Sequence, residues 1–426
     1  MGLPDPVDLD DVLAPCAPRG IVLGLDRMRA ALAEGGDPAR HVPAVQVAGT
    51  NGKGSIATFL HAILLAAGLR AGVYRSPHLR SWRERIQVGD QWVEGETLRA
   101  DLNRWRPIGE RHGLTVFELF TAAAMDRFAR SNLDLVVLEV GLGGRLDATT
   151  AHPDRRVVGF GPIGLDHREF LGDTLAAIAG EKAGVMAPGQ VAISGPQSPQ
   201  VAEVLEREAS LRGARLRWVS PLPGEEAGGV PLGLPGTFQR GNAAVALGMA
   251  RSLIEQGWPI PEEAMERGLG RAHWPGRLER RAFQGREVLL DGAHNPPGAA
   301  ALRRELDQRQ PADPAMEGAA GRRWLLAIQR HKEGPALLDA LLGANDRAAI
   351  VALADLPCWS VEALEEARPH LRGRLLAVAD PASGLQWLRA EGPLPVVAGS
   401  LHLLGEIWPL LDPPDDQIGG RIGFLG

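Results

Sequence analysis

The sequence predicts an α/β protein of two domains, each built around a mostly parallel sheet, and three observations carry that expectation. The chain has 426 residues, two to three times the roughly 150 of a typical domain. Short apolar runs of strand length alternate with helical patterns along most of it, the arithmetic of βαβ units. The alternation restarts after Trp274-Pro275-Gly276, a step that interrupts helix and strand alike, which sets domains at 1–275 and 276–426.

The elements follow in order. Residues 44–48 form an apolar run that leads through a Gly-rich turn into a helical pattern at 55–67. Residues 73–74 close a second strand, and 85–93 alternate around Gly89-Asp90, a hairpin turn. Helical patterns occupy 96–105 and 117–130. Residues 133–140 are an apolar run typical of a parallel strand buried on both faces; it ends in Glu139 and then Gly141-Leu142-Gly143-Gly144. Strands at 156–160 and 190–194, with helices at 175–185, 201–211 and 242–256, complete the first series. The Gly/Pro-rich stretch 221–235 reads as a surface loop. In the second series, strands are expected at 288–291, 324–328, 348–353, 375–378 and 395–398. No internal repeat or long low-complexity tract interrupts the pattern.

Composition narrows the function classes. Hydrophobic residues at 45% and charged residues at 23% suit a globular chain with sizeable cores. Net charge is −6 without a basic block, so nucleic acid is not an expected partner. Cys16 and Cys358 stand far apart, which supports neither a disulfide scaffold nor a cysteine zinc site. Residues 1–11 carry four Asp and no basic residue, unlike a secretory signal, and no apolar stretch is long enough to span a membrane. A cytoplasmic protein is expected. Of 46 basic residues only Lys53, Lys182 and Lys332 are lysine. Arg serves wherever charge alone matters, so each remaining Lys marks a place that can require a compact ammonium or a primary amine.

The sharpest motif is Gly49-Thr50-Asn51-Gly52-Lys53-Gly54-Ser55 between a buried strand and a helix. Such a loop turns backbone N–H groups and a helix N-terminus toward phosphate oxygens while its lysine reaches the terminal phosphates. It differs from the common phosphate-loop pattern, with four residues from Gly49 to Lys53 and Gly54 before Ser55. Glu139, at the C-terminal end of an apolar strand, is placed where open α/β sheets bind ligands and reads as a magnesium ligand. Gly141-Leu142-Gly143-Gly144 is not a dinucleotide fingerprint, because Leu146 stands at the third glycine position. Asp166-His167 follows a strand and Glu181-Lys182 lies about one helix later. Asp291-Gly292-Ala293-His294-Asn295-Pro296 sets a carboxylate, an imidazole and an amide at a strand end; it reads both as a ligand loop with His294 as a catalytic candidate and as a helix cap.

These residues resemble the folylpolyglutamate synthases and dihydrofolate synthases of the Mur ligase superfamily. The resemblance spans nearly the whole chain. It rests on the 49–55 loop, Tyr74-Arg75-Ser76-Pro77-His78-Leu79 with Glu84-Arg85-Ile86, the 138–149 segment LEVGLGGRLDAT, Leu165-Asp166-His167, Glu181-Lys182-Ala183-Gly184, Pro275-Gly276-Arg277, the 291–295 loop and Gly399-Ser400-Leu401-His402.

The resemblance implies a P-loop N-terminal domain and a Rossmann-like C-terminal domain of Mur ligase type, with the active site in the cleft between them. It implies a ligase that activates a folate-type carboxylate with ATP as an acyl phosphate and joins it to L-glutamate, using dihydropteroate, reduced folates or both. Thr50, Asn51, Gly52, Lys53, Gly54 and Ser55, with Asn242, Arg277 and Asp291, then match ATP positions. Ser76, Glu139 and His167 match magnesium ligands, and Lys182 matches a lysine that is carbamylated in the family beside a second Mg²⁺. Leu23, Gly24, Leu25, Phe117, Glu118, Leu146, Asp147 and Ala148 match the pterin site, where Asp147 is expected to accept hydrogen bonds from ring N–H groups. The expected partners are small molecules only, with no membrane, and the chain is expected to be a monomer. Thr150, Phe238, Gly159-Phe160-Gly161-Pro162 and His331-Lys332-Glu333 depart from the family pattern. The alternatives are a Mur-type ligase acting on a UDP-linked peptide, a P-loop NTPase switch that needs no amino acid, and a catalytically dead paralogue.

Overall fold

The computed structural model describes residues 3–309, 321–354 and 356–413, and the chain divides into two units between Trp274 and Pro275. The first unit holds β1 (Ala44–Ala48), β2 (Ala71–Tyr74), β3 (Ile86–Val88), β4 (Gln91–Trp92), β5 (Leu135–Glu139), β6 (Arg155–Phe160), β7 (Val191–Ser194) and β8 (Arg215–Trp218). They form one sheet in the order β4-β3-β2-β5-β1-β6-β7-β8. The six strands from β2 to β8 run parallel, and β3 and β4 form the antiparallel hairpin at one edge.

Successive side chains of a strand point to opposite faces, and here both faces are covered. Val45, Val47, Val73, Leu135, Val137, Val191 and Ile193 pack under helices Lys53–Ala66, Gln239–Ile254 and Glu262–Arg271. Their neighbours Ala44, Tyr74, Val136 and Leu138 face helices Asp26–Glu34, Gly95–His112 and Val116–Arg130. Ala48, Val158, Phe160 and Ala192 face helices Leu175–Ala183 and Pro199–Arg212. That double burial is why residues 135–138 read as an unbroken apolar run.

The second unit holds β9 (Glu279–Phe283), β10 (Arg286–Leu290), β11 (Arg323–Leu326), β12 (Arg347–Val351), β13 (Leu375–Val378) and β14 (Val396–Ala398), in the order β13-β12-β11-β14-β10-β9. Only the β9–β10 pair is antiparallel. The expected α/β class with mostly parallel sheets is therefore what both units have. No described helix is long and apolar enough to cross a membrane.

Several elements escape a periodicity reading. β8 (Arg-Leu-Arg-Trp) and β9 (Glu-Arg-Arg-Ala-Phe) are edge strands, and charged side chains on an edge discourage pairing with other chains while hiding the apolar signal. The 221–235 loop is irregular apart from a turn at Glu225–Ala227. It is not merely a surface loop: Leu234 is buried, and Leu222, Val230 and Leu232 pack against the core.

Candidate active site

β1 is the switch point of the first sheet. From β1 the chain moves to β2, returns to β5 on one flank of β1, and resumes as β6 on the other. Open parallel sheets bind ligands at the C-terminal ends of strands around such a point. Val47 pairs with Glu139 and Ala48 with Phe160, so the 49–55 loop, Glu139 and the segment from Gly161 emerge side by side.

The loop is held by its neighbours. The Thr50 and Asn51 amides donate to the Pro162 carbonyl at 2.9 and 3.1 Å. The Thr50 hydroxyl donates to the Gly164 carbonyl at 2.9 Å and accepts from the Gly164 amide at 3.0 Å. These two amides, expected to face phosphate, instead anchor the loop. The amides of the first turn of helix Lys53–Ala66 have no carbonyl one turn back and point out of the helix N-terminus, the direction that suits an anion. Lys53 Nζ curls over the loop and donates to the Gly49 and Thr50 carbonyls at 3.1 and 3.0 Å.

Glycine is required at two places. Gly52 has φ +77°, and a Cβ there would stand 2.4 Å from Asn242 Oδ1. A Cβ on Gly161 would stand 2.4 Å from the Asn51 carbonyl oxygen, which explains the departure Gly159-Phe160-Gly161-Pro162: the segment lies against the loop backbone. Asn242 Nδ2 donates to Gln239 Oε1 at 2.8 Å, and Gln239 Nε2 donates to the buried Ser55 hydroxyl at 3.2 Å.

Glu139 is 5% exposed. Tyr74 pairs with Leu138, so the residues that follow β2 and β5 stand together, and the Ser76 amide donates to Glu139 Oε2 at 3.2 Å. Both Glu139 oxygens lie 3.6 Å from the point a Gly54 Cβ would occupy. His167, at φ +50°, starts the short helix Arg168–Leu171, its amide on Asp166 Oδ1 at 2.9 Å. Lys182 is buried in the last turn of helix Leu175–Ala183. Among the described residues no three His, Cys, Asp or Glu side chains gather as a metal site. A buried carboxylate beside a hydroxyl residue and a phosphate loop nevertheless fits Mg²⁺, which takes one or two carboxylates and completes its shell with nucleotide phosphates and water.

The turn after β5 is knitted by Asp147. Its Oδ2 accepts from the Gly141 and Leu142 amides at 3.0 and 2.9 Å, and its Oδ1 from the Thr149 amide at 3.0 Å and hydroxyl at 2.5 Å. Burial pushes this carboxyl up, while those hydrogen bonds oppose the shift. The Thr150 hydroxyl donates to the Gly144 carbonyl at 2.7 Å and accepts from Gln46 Nε2 at 2.9 Å. The Arg145 amide donates to the Glu181 carbonyl at 2.8 Å, docking the turn on the helix that carries Lys182.

Phe117 covers Gly141, where a Cβ would meet its ring at 2.5 Å. Glu118 closes a capping box with Thr115 and pairs with Arg27 at 2.9 Å. Arg27 also donates to the Val22 carbonyl, which ties the Leu23-Gly24-Leu25 segment to the same corner. Leu25 and Ala148 are buried, whereas Leu146 is 37% exposed.

In the second unit, the β10 end carries Asp291, whose oxygens accept from the Ala293 amide at 2.9 Å and the Leu278 amide at 3.0 Å. Burial raises its carboxyl and the Arg277 guanidinium opposes that shift. Arg277 lies flush on Gly292, where a Cβ would stand 2.1 Å from Nη1. His294 Nδ1 is 2.8 Å from the Gly292 carbonyl. A carbonyl only accepts, so Nδ1 carries a proton there. Asn295 caps the next helix through the Gly298 amide at 2.9 Å. The departing His331-Lys332-Glu333 turn is braced by Trp359, whose indole donates to the Lys332 carbonyl at 3.0 Å and carries the Arg330 guanidinium at 3.8 Å.

Sequence reasoning missed Pro162, Gln239, Thr58, Trp274 and the role of Arg75. Arg75 sits inside a quoted motif, yet no periodicity shows that its charge is buried, pushed down by that burial to about 9.

Comparison with known proteins agrees with this arrangement. The family described as "Dihydrofolate synthetase, C-terminal domain" matches residues 277–357. The dihydrofolate synthase/folylpolyglutamate synthase of Bacillus subtilis is 35% identical over 319 residues, covering 68% of this chain and 73% of that protein. The structure of E. coli FolC in complex with DHPP and ADP has a TM-score of 0.82 at 29% identity, covering 96% of this chain and 99% of that one. The bifunctional folylpolyglutamate synthase/dihydrofolate synthase of Yersinia pestis complexed with AMPPNP and Mn has a TM-score of 0.81 at 30% identity, with 96% and 99% covered. A long match to a known relative and a fold shared over nearly the whole chain agree, and the chain belongs to the dihydrofolate synthase/folylpolyglutamate synthase family.

Proposed function

We propose that this protein is an ATP-dependent ligase that joins L-glutamate through an amide bond to the carboxylate of dihydropteroate or a reduced folate, releasing ADP and phosphate. The observation that carries the reading is Glu139, buried at the end of β5 with its oxygens against the phosphate-loop glycine Gly54. Likeness to the Bacillus subtilis enzyme, named for both activities, supports use of both acceptors.

A carboxylate is a poor acylating agent. Transfer of the γ-phosphoryl group to a carboxylate oxygen gives an acyl phosphate and ADP. The glutamate amine then bonds to the acyl carbon, phosphate leaves with the electron pair, and the nitrogen loses a proton. Lys53 and the N-terminus of helix Lys53–Ala66 offset the negative charge of the phosphates. Ser76, Glu139 and His167 would hold Mg²⁺, which would supply positive charge to offset that of the transferring phosphoryl group. His294, whose Nδ1 lies on the Gly292 carbonyl, is a proposed catalytic residue of the second unit. Asp147, saturated by four hydrogen bonds, acts as a positioning residue that holds the Gly141–Thr149 turn in shape for the acceptor.

Carbamylated, Lys182 would help hold a second Mg²⁺: its neutral amine would bond the carbon of CO₂ and lose a proton, giving an anion with two oxygen donors. Burial of Lys182 in the last turn of its helix supports this role. The test is phosphate release with ATP, Mg²⁺ and glutamate over dihydropteroate, tetrahydrofolate and a UDP-linked muropeptide. Release is expected with the first two and only when glutamate is present. Release with the muropeptide and with neither pteroate compound would overturn the proposal.

A further inference from the structure

Arg75 lies behind the phosphate loop. It follows β2, is 2% exposed, and its guanidinium carbon is 4.0 Å from the ring centre of Trp274 and 5.4 Å from that of Trp92. Nη1 donates to the Thr58 hydroxyl at 2.8 Å, and that hydroxyl donates to the Gly54 carbonyl at 2.7 Å. Nη2 donates to Gln87 Oε1. The Trp274 indole nitrogen is 3.5 Å from the point a Gly54 Cβ would occupy, on a glycine that also faces both Glu139 oxygens. Arg75 therefore reaches Gly54 by two routes, a relay through Thr58 and the face of Trp274.

A guanidinium is an expensive filler for this space. Removing its charge from water is costly, and a methionine would pack against two indoles without that cost. What arginine adds is the fork that reaches Thr58 and a positive charge that attracts Glu139 and Glu84. Hydrogen bonds in series polarise one another, so the charge on Arg75 strengthens the hold of Thr58 on the Gly54 carbonyl.

We propose that Arg75 is a positioning residue for nucleotide binding, fixing Gly54 and hence the phosphate loop through Thr58 and Trp274. The proposal rests on the reading of residues 49–55 as the ATP-phosphate site. The test is calorimetric ADP binding to the full chain, with KM for glutamate measured in parallel. Thr58→Val keeps the shape and removes the relay; Arg75→Met keeps apolar packing on the indoles and removes the charged fork. Each is expected to weaken ADP by about fivefold to tenfold with KM for glutamate unchanged. Thr58→Ser should bind like the native protein, and the double variant should be no weaker than the worse single one, because both changes break the same chain of contacts. Native ADP affinity in Thr58→Val, or fully additive losses in the double variant, would overturn the role. Should Arg75→Met fail to fold, the Thr58 pair still decides it. Native protein that bound no ADP would remove the functional reading, and this inference with it.

Discussion

Asp147→Asn separates direct contact with the acceptor from support of the turn that receives it. The native carboxylate accepts four hydrogen bonds, two on each oxygen. An amide offers one oxygen, which the Gly141 and Leu142 amides can share. Its NH₂ group then faces the Thr149 amide, donor against donor. The Thr149 hydroxyl can turn to accept, since a hydroxyl does both, but the Thr149 N–H loses its partner in a buried site. Losing one charge-assisted bond costs about 1.5–3 kcal/mol and stranding the donor a further 1–3, so about 3 kcal/mol overall is a fair expectation. For a unit of this size that lowers the melting temperature by about 6–12 °C. Differential scanning calorimetry reads that shift, and calorimetric ADP binding should stay within about threefold of native at 20 °C while KM for dihydropteroate rises. An unchanged melting temperature combined with a raised KM would refute the support role and make Asp147 a direct acceptor ligand.

Burial holds His61 down to about 3 and His152 down to about 4, below the 6.5 of the unfolded chain, so between those values the unfolded state binds more protons and stability rises with pH. As pH falls from about 6.5 each histidine removes up to about 1.4 kcal/mol per unit, and His152→Asn should flatten the slope of urea-unfolding free energy between pH 4.5 and 6.5 by about one proton; an unaltered slope would contradict this. Lys182→Arg should lose nearly all ligase activity yet retain ADP binding, because arginine cannot form a carbamate; a fully active Arg variant would rule the carbamate out. Gly52→Ala forces a methyl into the 2.4 Å gap beside Asn242 Oδ1 at a left-handed backbone position and should weaken ADP about tenfold; native affinity there would show that the loop takes its shape elsewhere.

Most strands, the glycine turn between β1 and the next helix, and the place of Glu139 at a strand end could be read from the chain because each is a local pattern. A parallel strand covered on both faces leaves an apolar run, as at Leu135–Leu138, and a loop that must pass φ +77° selects Gly52. The edge strands β8 and β9 hid for the opposite reason: their exposed, charged side chains carry no burial signal. Family resemblance placed Asp147 at the acceptor site, but its four hydrogen-bond donors are a property of how the turn closes on itself. Thr50 and Asn51 looked like phosphate donors by position, and only the approach of Pro162 from β6 showed where their amides go. Arg75 makes the same point most sharply. Its sequence neighbours give no hint of Trp274, 199 positions away, because a stack of guanidinium on indole is made by sheet order and helix docking. The sequence by itself determined which backbone conformations and buried faces were available; tertiary structure decided which polar groups meet, since hydrogen bonds and charge pairs depend on distances of a few ångströms between segments that local pattern does not bring together.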